Sequence, residues 1–179
     1  KKNIIINIGR FRKQKNQILL IKAFYEFSKI HKKYKLLLIG DGILKNRLLS
    51  EISNLDLNNK VFLRGWTNNT LKYVKNAKLF VFTSLYEGLG NVLIDAINYD
   101  VPCISTNCKS GPKEILLNGK GGTLSKNNDV YDLSQKMIYC IKNYSLAKKK
   151  NNISKKHLKR FLMNDRSKDY QKLLIKYIN

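Results

Sequence analysis

Five short apolar runs recur along the chain: "NIIINI" (3–8), "KLLLIG" (35–40), "KVFLRG" (60–65), "KLFVFTS" (78–84) and "VPCIST" (101–106). Their apolar residues are consecutive rather than alternating, the pattern of parallel strands covered on both faces. Between them lie segments with apolar residues three and four apart, such as Leu20, Ala23, Phe24, Phe27 and Ile30. Further helices are predicted to start near Ile43, Leu71, Asn91 and Pro112, the last with proline in its first turn. "GGTLS" (121–125) reads as a sixth strand, followed by a helix over 129–143. Strand and helix alternating at this spacing predict an α/β fold with a parallel sheet of about six strands and right-handed crossovers. Ligands of such sheets bind at the carboxyl ends of the strands, so the residues just after each strand carry the most information.

Composition bounds the alternatives. The 179 residues suffice for one domain with a real core, and 43% are hydrophobic, too many for a disordered polycation. No apolar run approaches the ~20 residues of a membrane-crossing helix. Lys and Arg number 35 against 12 Asp and Glu, a net charge of +23. Of the basic residues 29 are lysine and only 6 arginine. Nucleic-acid readers lean on the planar arginine fork, so no nucleic-acid partner is expected. The charge concentrates late, with seven Lys/Arg and no acid between Leu146 and Arg160, and "DRSKDYQKLLIKYIN" reads as an amphipathic helix. The chain therefore divides into a domain over 1–145 and a basic helical tail over 146–179. Cys103, Cys108 and Cys140 lack metal-type spacing, and a reducing compartment fits them best. His31 and His157 lie in basic helical segments and are expected to face solvent. Without an initiating methionine and beginning almost inside an apolar run, the chain reads as a piece of a longer protein.

Two loops carry candidate chemistry. After the first strand comes "GRFRKQKN" (9–16), where Gly9 permits a close turn and Arg10 and Lys15 can point above the strand. Two cations beside a helix start suit a diphosphate; a solvated basic loop is the plainer alternative. The stretch matches neither a P-loop nor a G-x-G-x-x-G fingerprint. "GDG" (40–42) reads as a tight turn capping the next helix.

The second loop is "YEGLGNVLIDA" (86–96). Glu87 falls in a strand-to-helix connection, and Gly88 and Gly90 let the backbone approach a ligand. The amides of Leu89, Gly90, Asn91 and Val92 are then free to hold an anion. Asn91 and Asp95 share one helical face. Two carboxylates so placed suit a hydrolase pair, or equally a site that accepts hydrogen bonds from sugar hydroxyls.

"IGRFRKQKN", "LLLIGDG", "VFLRGW", "SLYEGLGNVLIDAI", "VPCIST" and "SGPKEIL", in this order, resemble the donor-binding half of retaining GT-B glycosyltransferases of family 4, the group 1 type, over about residues 3–143. The resemblance is greatest to bacterial transferases that build lipopolysaccharide, capsule or lipid-linked glycans. It implies one Rossmann-like half of a GT-B fold, with Arg10 and Lys15 clamping the diphosphate and Glu87, first acid of the family's E-x7-E motif, on the donor sugar. The amides of residues 89–92 would hold phosphate and sugar, and the loop of Trp66, Thr67 and Asn69 would receive the base. The second acid is here Asp95, where the family usually has glutamate for the ribose; aspartate falls short by about 1.5 Å. No D-x-D occurs, so the donor, a UDP-sugar, is expected to bind without metal, the cations and a helix N-terminus stabilising the departing diphosphate.

The expected function is transfer of a hexose or N-acetylhexosamine from UDP to a glycan or polyprenyl-diphosphate-linked acceptor. An upstream half would bind that acceptor, leaving this fragment inactive alone. The expected place is cytoplasmic, peripheral at the inner face of the membrane. A related GT-B reaction with another nucleotide is the alternative among enzymes. The rival from another class is a basic domain that binds anionic membrane or nucleic acid through 146–160 without chemistry.

Overall fold

The computed structural model describes residues 2–108, 110–161, 167, 174 and 175. Six parallel strands form one sheet in the order β3-β2-β1-β4-β5-β6. They are β1 (Ile4–Ile8), β2 (Lys35–Ile39), β3 (Val61–Arg64), β4 (Leu79–Phe82), β5 (Cys103–Thr106) and β6 (Thr123–Ser125). The helices are α1 (Gln17–Ile30), α2 (Lys45–Asn54), α3 (Thr70–Asn76), α4 (Asn91–Asn98), α5 (Pro112–Ile115), α6 (Val130–Lys142) and α7 (Tyr144–His157).

The continuous apolar runs are explained by two cores, one on each face of the sheet. Ile5, Leu36, Leu38, Leu79, Val81 and Ile104 turn toward α1, α2 and α6. Their strand neighbours Ile6, Ile8, Ile39, Phe80, Phe82 and Cys103 turn the other way, toward Leu93, Ala96 and Ile97 of α4 and Ile115 of α5. Successive side chains point to opposite faces, so only strands apolar at both can be covered on both.

Several boundaries and side chains depart from the sequence reading. The second helix begins at Lys45 rather than near Ile43, because Asp41–Leu44 form a loop tied to the first: Phe11 N donates to Asp41 O at 2.8 Å and Leu44 N to Phe11 O at 3.0 Å. Asp41 does not cap α2; its Oδ1 accepts from the next residue's amide, Gly42 N, at 2.8 Å. Ile30 is 60% exposed despite its place in the α1 apolar pattern, since it ends the helix beyond the sheet. His31 does not project into solvent: its ring stacks on Phe27 with centroids 4.7 Å apart and meets Tyr34 edge-on. Burial, aided by the Lys142 charge, lowers its pKa. His157 is exposed.

The basic segment from 146 is docked on the domain as α7. Ala147, Asn151 and Ser154 are buried. Asn151 Nδ2 donates to Ile97 O at 3.1 Å and Ser154 Oγ to Ile115 O at 2.7 Å, so α7 satisfies carbonyls at the ends of α4 and α5. Lys155 pairs with Asp100 at 2.9 Å. A 3-10 turn, Leu158–Phe161, follows. The amphipathic helix read in 165–179 lies outside the described residues, apart from the three positions named above.

Candidate functional site

The strand order reverses between β1 and β4, which run side by side although α1, β2, α2, β3 and α3 separate them in sequence. At such a switch point ligands bind in a crevice above the carboxyl ends of the strands, and here the loops leaving those ends face each other. Both candidate loops flank the switch point.

From β1 the chain passes Gly9 and Arg10 into a 3-10 turn, Lys13–Lys15. Three hydrogen bonds pin that turn to the loop after β4: Leu85 N donates to Gln14 O at 2.8 Å, Gln14 Nε2 to Tyr86 O at 2.9 Å, and Thr83 Oγ1 to Lys15 O at 2.9 Å. Gln17 at the start of α1 is fully buried and donates to Arg10 O at 3.1 Å, fixing the other end. The loop is thus held by its backbone while its cationic heads are left for other partners. Lys15 uses its head at once: Nζ forms an ion pair with Glu87 Oε1.

Glu87 is held from three sides. Its Oε1 also accepts from Ser84 Oγ at 2.8 Å, its backbone carbonyl accepts from Ser110 Oγ, and its side chain is only 10% exposed. Ser84 is itself buried, and its carbonyl accepts from Thr106 Oγ1 at 2.7 Å. The carboxylate therefore has a fixed orientation with one oxygen engaged. Cys108, buried nearby, has its thiol pKa raised by burial and further by the Glu87 charge.

The chain then turns through Gly90, in left-handed conformation at φ 89°, into α4. No side chain caps this helix start. The amides of Asn91 and Val92 therefore lack a helical acceptor and stand at the positive end of the helix dipole. Gly111 makes room for the loop: at φ 61°, a Cβ there would lie 2.5 Å from Gly88 O and 2.7 Å from Leu89 O. One turn below the start of α4, Asp95 lies on the same exposed face as Asn91. Desolvation by the surrounding protein raises its carboxyl pKa. Its carboxylate makes no side-chain hydrogen bond or ion pair among the described residues.

On the β2 side, a cavity of about 700 Å³ is lined by Arg10, Arg12, Asp41, Gly42, Ile43 and Trp66. Trp66 is 65% exposed and Ile43 86%, two apolar surfaces beside the charged groups of Arg10, Arg12 and Asp41. Thr67 and Asn69 form a local turn, Asn69 N donating to Thr67 Oγ1 at 3.3 Å, and only Trp66 of the three lines the cavity. The structure thus brings Lys15 and Glu87 into contact, sets Gly90, Asn91 and Val92 at the helix start beside them, and places Arg10 and Trp66 across a cavity. Sequence reasoning missed Ser84, Ser110, Arg12 and Ile43, and valued Asp41 only as a turn. The signal for Ser84 was its place at the strand end three residues before Glu87.

Chemically, the loops at the carboxyl ends of the strands offer a fixed acceptor, a set of positive groups and a flat apolar surface. Among the described residues no cluster of three or more His, Cys, Asp or Glu is placed to hold a metal ion.

Architecture of this kind is that of GT-B glycosyltransferases. The fold superposes on a single-site mutant of S. aureus TarM, solved with fondaparinux, alpha-GlcNAc-glycerol and UDP, at a TM-score of 0.89 and 26% identity, over 96% of this chain and 35% of that one. It also superposes on the C-terminal domain of a group 1 glycosyl transferase from Francisella tularensis, with a TM-score of 0.78, 20% identity and 88% and 85% of the two chains covered. The chain belongs to the family Glycosyl transferases group 1, whose profile matches residues 1–160. Among characterised relatives it is 33% identical over 161 residues to the Campylobacter jejuni N-acetylgalactosamine-N,N'-diacetylbacillosaminyl-diphospho-undecaprenol 4-alpha-N-acetylgalactosaminyltransferase, covering 90% of this chain and 43% of that protein. It is 31% identical over 144 residues to the Staphylococcus aureus poly(ribitol-phosphate) alpha-N-acetylglucosaminyltransferase, covering 80% and 29%. The chain spans half or less of the length of these relatives.

Proposed function

We propose that these residues form the donor-binding half of a retaining glycosyltransferase that moves a hexose or N-acetylhexosamine from a UDP-sugar to a glycan or polyprenyl-diphosphate-linked acceptor. The observation that carries the reading is the Lys15–Glu87 pair at the β1/β4 switch point, beside the uncapped start of α4. Family membership and relatives that transfer N-acetylhexosamines to lipid-linked or polymeric acceptors support it.

In this reading Arg10, Lys15 and the amides at Leu89, Gly90, Asn91 and Val92 receive the diphosphate. As the glycosidic bond breaks, negative charge grows on the leaving oxygen. Fixed N–H groups, a helix dipole and two cations meet that charge without having to reorganise. Glu87 accepts from hydroxyls of the sugar, and its bond to Ser84 keeps it from turning toward the diphosphate. The base lies in the cavity against Trp66, with Thr67 and Asn69 shaping the loop, Gly9 allows close approach, and Asp95 reaches toward the ribose. Positive charge is already supplied by protein groups, so donor binding needs no metal ion. The missing half of the cleft lies on a preceding domain, which makes this piece a binder that does not turn over alone.

The acceptor chemistry points to the cytoplasmic membrane face. The outer side of α7 supplies a surface for it: Lys149 and Lys156 are exposed beside Leu146 and Ile153, 41% and 43% exposed, and Lys148 is exposed on the other flank of the helix. Lysines flanking partly exposed aliphatics suit an anionic bilayer surface.

Titration with UDP and UDP-sugars, with and without EDTA, followed by ligand NMR, tests the reading. Specific, salt-tolerant, EDTA-insensitive binding is the expected result. Binding that EDTA abolishes removes the metal-free element, and robust glycosyl transfer by this piece alone removes the half-enzyme element. Binding without nucleotide preference that vanishes at moderate salt favours a basic interaction domain instead.

A further inference from the structure

A second surface, away from the crevice, has the chemistry of a sugar platform. α6 presents Tyr131, Gln135 and Tyr139, four residues apart, along one exposed stripe. The rings are 73% and 48% exposed. Residues eight apart on a helix stand about 12 Å apart, a separation that a short oligosaccharide bridges. Beside the lower ring a cavity of about 580 Å³ opens over the edge strand β6, walled by Asn118, Thr123, Gln135, Lys136, Tyr139 and Lys150 among others.

The stripe is also tied to the crevice. Just before α6, Asn127 Nδ2 donates to Leu85 O at 3.3 Å, on the loop of Glu87, and Asn16 Nδ2 donates to Asn128 Oδ1 at 3.2 Å. The N-terminal end of α6 thus stands at the rim of the candidate site, and the stripe leads away from it down the outside of the domain.

We propose that this stripe and cavity bind a glycan chain, the acceptor or product polymer, at a distance from the transfer site. The inference rests on the glycosyl-transfer reading for its choice of ligand. The lining decides the class. Flat rings offer apolar faces to the C–H face of a pyranose, while amides and hydroxyls meet its ring of donors and acceptors. A nucleic acid or other polyanion would need uncompensated cations. Here Lys136 lies 4.0 Å from Asp132 and Lys150 donates to the neutral Gly119 O at 3.1 Å, so the wall sets two lysines among amides, hydroxyls and a ring, and the salt dependence of binding separates a neutral glycan from a polyanion. A bilayer would need aliphatics where this stripe has an amide between two phenols.

The test uses this 179-residue chain, with chitohexaose and maltohexaose as neutral probes and a heparin hexasaccharide as the ionic one, read by saturation-transfer NMR and titration. Saturable binding of a neutral hexamer at physiological salt, unaffected by UDP, is expected. Tyr139→Ala should weaken it roughly 3- to 10-fold, Tyr131→Ala should weaken it too, and Tyr139→Phe should retain it. UDP-sugar affinity in Tyr139→Ala should be unchanged, which also shows that the variant is folded. The proposal is overturned by no saturable neutral binding, by equal binding in Tyr139→Ala, or by binding of heparin alone that salt removes. Concentration-dependent dimerisation lost in Tyr139→Ala, without sugar binding, also overturns it and gives the face to a second copy. Hexamer binding in a chain that ignores UDP-sugars would keep the platform and sink the donor-site reading instead.

Discussion

Lys15 and Glu87, 72 residues apart in the chain, meet in an ion pair that leaves their side chains 21% and 10% exposed. The pair joins the loop proposed to neutralise a diphosphate to the loop proposed to read a sugar. Substitutions at its two ends should therefore separate the two halves of a nucleotide-sugar ligand.

Replacing either Arg10 or Lys15 by alanine should weaken UDP and UDP-sugar alike. A charge-assisted hydrogen bond is worth about 1.5–3 kcal/mol, so each loss should be roughly 10- to 100-fold. Calorimetric titration of both ligands checks it; a change confined to the UDP-sugar would remove the cation from the diphosphate.

The carboxylates should behave differently from the cations and from each other. Glu87→Gln should leave UDP affinity nearly unchanged while UDP-sugar affinity falls, because the sugar is present in only one ligand. Asp95→Asn should weaken both modestly, since the ribose is common to them and an amide still accepts. If Glu87 only ties down its loop, both ligands lose equally or the melting temperature drops, and the ratio of the two affinities in Glu87→Gln decides.

Gly111→Ala should cost about 1–3 kcal/mol in chemical denaturation, since a Cβ would press on the carbonyls of Gly88 and Leu89 at a positive φ. The same push displaces the loop ahead of α4, so ligand affinity should fall with stability. Full stability in this variant would mean that the two loops can part without penalty.

His31 should make the fold acid-sensitive. Its folded pKa lies below the ordinary value of 6.5, so the unfolded chain takes up the proton first. Stability should therefore decline as pH falls through the ordinary value toward the folded one, and level off below it. His31→Phe keeps the stack on Phe27 and should flatten that part of the profile; identical slopes in the two proteins would exclude the histidine.

Membrane docking through α7 can be read by vesicle sedimentation at physiological salt. Near an anionic surface each lysine contributes about 1 kcal/mol before screening, so Lys148→Glu with Lys149→Glu should release most of the bound protein. Equal sedimentation with anionic and neutral vesicles would end the idea.

Much of this was written in the chain in readable form. The sheet was legible because its inner strands, β1, β2 and β4, are apolar on both faces, which only a doubly covered parallel sheet requires. Glu87 and the start of α4 were legible because the glycines mark where backbone must come close. The cross-links were not. Ser84, Ser110 and Thr106 act through contacts between loops that only the strand order brings together, and serine or threonine at a strand end is otherwise unremarkable. His31 was misjudged because its neighbours in sequence are lysines while its neighbours in space are Phe27 and Tyr34. The basic segment after 145 hid Ala147, Asn151 and Ser154 among its lysines, small and polar residues chosen for what lies beneath them.

The pairing of β1 with β4 has a consequence for how the molecule comes into being. A nascent chain that has made β1, β2 and β3 can already assemble one flank of the sheet from neighbouring segments, yet it holds Lys15 with nothing opposite. The crevice exists only after the first strand, long since synthesised, accepts the fourth along its other edge, a closure of high sequence separation and correspondingly slow. Binding competence should therefore appear late and all at once during folding, and a chain cut after α3 should hold structure without any grip on a nucleotide.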